Sequence, residues 1–243
     1  MNYDRQTMSR SQADVAGYDV GLRQYMLGVY NHMVAALILT GVVASGTAML
    51  SFQDGSLTSF GEAVYMSELR WVIMLAPIAM VLLISARVAS MSLSSARILF
   101  YVFSSLMGLS LASIFLVYAA ESIARVFFIT AAAFAGLSLY GYTTKKILSG
   151  LGTFAVMGLF GVMLASIVNI FLASSALQFT ISIAGVLVFS ILTAYDTQRI
   201  KEMYNEIDSF GVVTKKTIIG ALTLYLDFIN LFLFLLRLFG NRE

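Results

Sequence analysis

Seven apolar runs follow one another along the chain, near residues 25–50, 71–86, 97–119, 123–141, 152–173, 179–195 and 217–239. Most approach the ~20 residues that cross a ~30 Å hydrocarbon core. Lipid offers no partner to a free backbone amide, so each run must satisfy its own hydrogen bonds as a helix. A barrel would show ten-residue segments of alternating polarity instead. The second run is short and contains Pro77, which predicts a kink or a continuation to Ala89. The connections are too brief for a soluble domain. The pattern therefore predicts an all-α integral membrane protein, with a polar N-terminal tail over 1–24 and a single seven-helix domain over 25–243. The tail is mixed in charge and reads as short and mobile. Its length puts the first apolar run too far from Met1 for a cleavable signal peptide.

Composition agrees. Hydrophobic residues make up 59% of the 243 positions and charged residues 12%, against about 25% charged in a soluble domain. There is no Cys, which excludes disulfides and thiol chemistry. The single His32 excludes a His-rich metal site and a His-based triad. No basic patch interleaved with aromatics points to nucleic acid.

Orientation follows from Lys and Arg. A cytoplasmic N-terminus puts eleven of them inside: Arg5, Arg10, Arg23, Arg87, Arg97, Lys145, Lys146, Arg199, Lys201, Lys215 and Lys216. Four then lie outside, Arg70, Arg125, Arg237 and Arg242, together with the acidic loop of Asp54, Glu62 and Glu68. If the last helix re-entered, the count would become thirteen to two. Its 23 residues reach ~35 Å at ~1.5 Å each, and this length favours a full crossing.

The last run carries a carboxylate. With Asp227 at 0° and ~100° per residue, Asn230 falls near 300°, Arg237 near 280°, Thr223 near 320° and Gly220 near 20°. The polar residues thus share an arc of about 100°, and such a stripe faces other helices or an interior path. On the sixth helix, Ser182, Gly185 and Thr193 fall within about 60° of Asp196. An ionised Asp at mid-membrane costs ~2.5–3.5 kcal/mol on insertion scales, so it needs protonation, a partner or water. The bland alternatives are an interhelical hydrogen bond for Asp227 and an interfacial cap for Asp196.

Expected depths of ~15 Å for Asp227 and ~5 Å for Asp196 from the cytoplasmic boundary leave a ~10 Å gap. Contact between them requires the last helix to sit closer to the cytoplasm, or different tilts. If they meet, the two carboxyl groups share one proton and titrate as a pair. Fully deprotonated, they offer hard oxygen ligands suited to Ca²⁺.

The stretches "AYDTQRIKEMY" (194–204) and "LTLYLDFINLFLFLLR" (222–237) resemble the closing motif pair of the Bax inhibitor-1 family, the transmembrane Bax inhibitor motif proteins. The resemblance covers the whole chain, which is similar to bacterial members. It implies six helices around a central seventh, and a pH-sensitive Ca²⁺ leak across the bacterial inner membrane. It also implies a di-aspartyl sensor, which maps onto Asp196 and Asp227, with Ca²⁺ and H⁺ as the bound ions and no cofactor. An Arg on the second helix engages the sensor in this family, and Arg87 is the nearest candidate. Arg237 occupies the place of an Arg that closes the outer end, with Glu62 or Glu68 as its partner.

Three other readings compete. A proton-coupled cation transporter also uses intramembrane carboxylates, although broken helices and paired halves are not visible. An intramembrane aspartyl protease needs two Asp; Tyr195-Asp196 fits, but Tyr225-Leu226-Asp227 lacks the Gly-x-Gly-Asp signature. A serine protease lacks a recognisable partner for His32, so no enzyme is expected. His32 reads as a packing residue, Asn169 as an interhelical hydrogen bond, "TAAAFAG" (130–136) as close helix packing and Trp71 as an interface anchor.

Overall fold

The computed structural model describes residues 20–53, 56–88 and 90–241, and the helical backbone back to Asn2. Helix α1 (Asn2–Ser51) is long and apolar enough to cross a membrane from Val20 onward. The tail expected over 1–24, with Arg5 and Arg10, falls chiefly on side chains outside the described residues, as do Asp54, Ala89 and Arg242. A two-stranded hairpin follows, β1 (Phe52–Gln53) against β2 (Ser56–Leu57), and then a short helix α2 (Ser59–Tyr65). Six more membrane-length helices complete the chain: α3 (Leu69–Arg87), α4 (Leu93–Leu111), α5 (Ala120–Thr143), α6 (Ser149–Leu172), α7 (Ser175–Glu202) and α8 (Phe210–Phe239). The seven crossings match the seven apolar runs, and α3 continues through Pro77.

Local chemistry sets several boundaries. The Ser92 hydroxyl accepts from Ser95 N at 3.1 Å and starts α4, and Ser174 does the same for α7 with Leu177 N at 3.3 Å. Such caps satisfy amides that the first helical turn leaves unpaired. Helix α6 ends on Ala173 at φ 47°, a left-handed position that disfavours a residue with a Cβ. Asn169 Oδ1 secures this turn by accepting from Ser174 N at 3.1 Å. The interhelical bond expected of Asn169 is therefore replaced by a local one, because the chain reverses five residues later.

Helix α8 is the centre of the bundle. Of its most apolar window 72% is buried, against 11–39% for the other six. It packs on α7, α1, α5 and α4, whereas α6 lies at the periphery against α7. This is the central place expected of the last helix, and burial extends beyond its polar arc: Leu224, Tyr225, Phe228 and Leu231 are as buried as Asp227. The C-terminal end is tied beside the start of α5, where Asn241 N donates to the Ser122 hydroxyl at 2.9 Å and Ala119 N to Asn241 O at 3.2 Å. Because α7 descends to the turn before α8, this tie places the end of α8 across the bundle from that turn, a full crossing rather than a re-entry.

The run Thr130–Gly136 does not pack as expected. Thr130 and Phe134 point inward, while Ala132, Ala133, Ala135 and Gly136 face outward. An added Cβ at Gly136 would meet nothing within 4 Å. Small size marks a possible close approach, but the direction of each residue around the helix decides whether one occurs.

Candidate functional site

The pairing of α7 with α8 is set by two glycines. A Cβ at Gly220 would lie 2.9 Å from Ile200 Cγ2, and one at Gly185 would lie 2.5 Å from Phe234 Cδ1. In an antiparallel pair, facing residues have a constant sum of numbers, here near 420. Asp196 therefore faces a position near 224, and Asp227 lies about one helical turn from it on the same face. The two carboxyl groups come within side-chain hydrogen-bonding reach of each other. Asp196 is 9% exposed and Asp227 5%.

This contact closes the ~10 Å gap that depth alone suggested. Helix α7 continues to Glu202 instead of ending near 195, so Asp196 lies almost two turns inside a helix. It is a buried residue, not an interfacial cap. Asp227 Oδ2 is buried and has no hydrogen-bond partner among the described residues. Arg199, one turn beyond Asp196 on α7, is the cation whose charge acts on Asp196.

The residues that accompany Asp196 in the 194–204 stretch each fix a neighbour. The Thr197 hydroxyl donates to Thr193 O at 2.7 Å and meets Ser138 Oγ at 2.9 Å; Ser138 in turn meets the Tyr30 hydroxyl at 2.6 Å. Three helices are thereby tied at the depth of the aspartates. Gln198 clamps the α5–α6 turn: its Oε1 accepts from Leu148 N at 2.8 Å, and its Nε2 donates to Lys146 O at 2.9 Å. Lys201 Nζ donates to Tyr142 O at 2.8 Å. Sequence reasoning weighed only the aspartate here. The density of polar residues in an otherwise apolar helix was the available signal, since buried polar groups require partners.

The other expected site residues stand apart. Arg87 is the last residue of α3 and faces outward, with no ion pair to the aspartates among the described residues. The Arg237 guanidinium lies 5.3 Å from the centre of the Phe234 ring, one turn back on its own helix. Glu62 and Glu68 are exposed, and neither pairs with Arg237 among the described residues. His32 stacks on Tyr101 with ring centres 6.3 Å apart, in keeping with a packing role.

A cation at the aspartate pair would find at most four carboxylate oxygens, and no third acidic, His or Cys ligand joins them among the described residues. Ca²⁺ takes six to eight oxygens. Water or backbone carbonyls would have to complete the shell, which suits a passing ion better than a resident one.

Comparison with known proteins decides the family. The model of the family described as "Inhibitor of apoptosis-promoting Bax1" matches residues 22–243. The chain belongs to the Bax inhibitor-1 family. Among its relatives is the "Inner membrane protein YbhL" of Escherichia coli K12, 47% identical over 92% of this chain and 94% of the relative. The "Uncharacterized protein RP147" of Rickettsia prowazekii is 45% identical over 93% of each chain, and a protein of Caulobacter vibrioides 45% identical over 93% of this chain and 92% of its own. The family match over residues 22–243 includes both aspartate-bearing helices. The protein is thus an integral, multi-pass membrane protein of this family.

Proposed function

We propose that the protein is a pH-sensitive Ca²⁺ leak channel of the bacterial inner membrane, with its N-terminus cytoplasmic and Asp196 and Asp227 as the proton sensor. One observation carries the reading: two carboxyl groups are buried face to face against the central helix, and one of their oxygens is unpartnered. A single proton on the pair makes a hydrogen bond that holds α7 to α8. Loss of that proton replaces the bond with repulsion between two anions. The deprotonated pair also presents the oxygens that Ca²⁺ prefers, whereas protonation competes with the metal. Flux therefore rises with pH.

Among the helices beside α8, α3 packs on it sparsely, and 17% of its apolar window is buried. A cleft of about 150 Å³ separates it from α8, with Ser85 and Thr223 among its lining and Leu226, the neighbour of Asp227, at its side. Outward movement of α3 would widen this cleft towards the aspartates and bring Arg87 along with the end of the helix. The name of the Escherichia coli relative supports placement in the inner membrane. The basic residues Arg199 and Lys201 near the end of α7, Lys215 and Lys216 near the start of α8, and Arg87 at the end of α3 support a cytoplasmic location for that end.

The test is Ca²⁺ flux into liposomes as a function of pH for the wild type, Asp196→Asn, Asp227→Asn and the double variant. Either single substitution should remove most of the change in flux between about pH 6 and 8, and the double variant should add little, because the pair acts as one unit. Unaltered pH profiles in both single variants, with folding intact, would refute the sensor. Flux should also persist when the proton gradient is collapsed at constant pH; loss of flux under that condition would favour a proton-coupled transporter.

A further inference from the structure

Helices α1 and α5 form the walls of a long groove that neither of them closes. It holds about 800 Å³, and Phe228 of the central helix contributes to its lining. The walls are apolar: Met26 and Met33 of α1 lie across from Phe127 and Phe134 of α5. Ala131 and Ala135 keep the α5 wall shallow, which gives Ala135, one of the outward-facing small residues of the 130–136 run, a role. The Tyr30 and Ser138 hydroxyls also line it, but they are engaged with each other and with Thr197. The body of any occupant must therefore be apolar.

Charge enters at one end only. Arg23 lines that end and makes no ion pair among the described residues. Tyr142 lines it from α5, and Lys201 Nζ lies 5.2 Å from the centre of the Tyr142 ring. Two cations from different helices thus flank the same mouth. From Arg23 to Ile38 the lining of α1 spans fifteen residue steps, about 22 Å, which exceeds the ~15 Å depth of one leaflet's hydrocarbon. A long apolar channel with a cationic mouth complements a lipid whose head group is an anion.

We propose that this groove is a binding site for one anionic phospholipid, with its acyl chain between α1 and α5 and its phosphate at Arg23 and Lys201. The site is independent of the aspartate pair and does not rest on the ion-channel reading. It takes its lipid from the leaflet at the basic end of the bundle.

The experiment uses the full chain in mild detergent, incubated with equal amounts of phosphatidylglycerol and phosphatidylcholine and examined by native mass spectrometry. The wild type should retain one phosphatidylglycerol per chain in preference to phosphatidylcholine. Arg23→Gln should lower that preference about fivefold, the effect of one basic residue at an anionic surface. Ala135→Phe fills the groove and should reduce retention of both lipids. Gly161→Phe, on the outer face of α6 where an added Cβ meets nothing within 4 Å, should leave retention unchanged. Equal retention of the two lipids by the wild type would overturn the proposal, as would an unchanged preference in Arg23→Gln. Wild-type retention in a folded Ala135→Phe, or a lipid-free dimer, would overturn it as well. Arg23 faces outward, so its variant carries the test even where Ala135→Phe fails to fold.

Discussion

The approach of α7 to α8 at Gly185 is the contact most sensitive to a single methyl group. An alanine there would place its Cβ 2.5–2.6 Å from three carbons of the Phe234 ring, a stiff group that cannot bend aside. At Gly220 the nearest atom is the branch methyl of Ile200 at 2.9 Å, with Val29 at 3.3 Å, so the overlap is smaller and involves one atom rather than a ring. At Gly41 nothing lies within 4 Å. All three glycines are helical, so each alanine gains the same ~1 kcal/mol of helix propensity. The difference between variants therefore isolates the contact. Forcing a methyl into a filled site costs about 1–3 kcal/mol, and a chain of this size loses about 2–4 °C of Tm per kcal/mol. Gly185→Ala should thus melt roughly 2–12 °C below Gly41→Ala, with Gly220→Ala between them. Phe234→Leu in the Gly185→Ala background should recover at least half of the loss, because the two residues share one volume. Thermal melting of the purified protein in one detergent measures all four. If Gly185→Ala and Gly41→Ala melted together, or Phe234→Leu gave no recovery, the helix register derived from these glycines would be wrong. The same register brings the aspartates together, so Gly185→Ala should also blunt the pH response of Ca²⁺ flux.

Other consequences are simpler. Replacing Ala173, at φ 47°, with Gly should raise stability by about 1 kcal/mol, read as a Tm higher by a few degrees; a lower Tm would refute the strain at the end of α6. Gln198→Leu leaves Leu148 N and Lys146 O without their partner and should cost about 1–3 kcal/mol in the same melting assay, and an unchanged melt would show the clamp to be dispensable. The resemblance to the family leads to the expectation that Arg237 pairs with Glu68 or Glu62 in a closed state, leaving the Phe234 ring. Charge reversal at both members of the true pair should then restore the flux that each single reversal alters, and no restoration with either Glu would remove the closure pair.

The sequence alone shows a great deal about this bundle, but not the depths of its functional groups. Seven crossings follow from run length, because lipid forbids unpaired backbone and leaves helices as the solution. The two acidic residues stand out for the same reason, since a carboxylate in an apolar run needs a compensating environment. Their contact was not legible. Apolar runs mark where side chains meet lipid, not where helices end. Helix α7 runs on to Glu202 through Thr197, Gln198 and Arg199, polar residues that a hydropathy pattern reads as loop. The glycines that set the register look like any others until the facing side chain is known.

The polar residues after Asp196 show why depth and function are linked here. Thr197, Gln198 and Lys201 each satisfy a group on α5 or on the α5–α6 turn. These bonds fix the lower part of α7 against α5 while α8 passes on its other side. Asp196 is then held from behind by α5, and it faces Asp227 on a helix that is buried except along the face of Thr223, Leu226 and Asn230. A change of charge at the pair cannot be absorbed by a shift of Asp196 alone. On the proposed function, relief comes at the α3–α8 cleft, which Leu226, the neighbour of Asp227, lines. A buried pair held on its α5 side would turn the loss of a proton into strain towards that cleft. On the proposed function, that strain connects the titration of two side chains to the opening of a path.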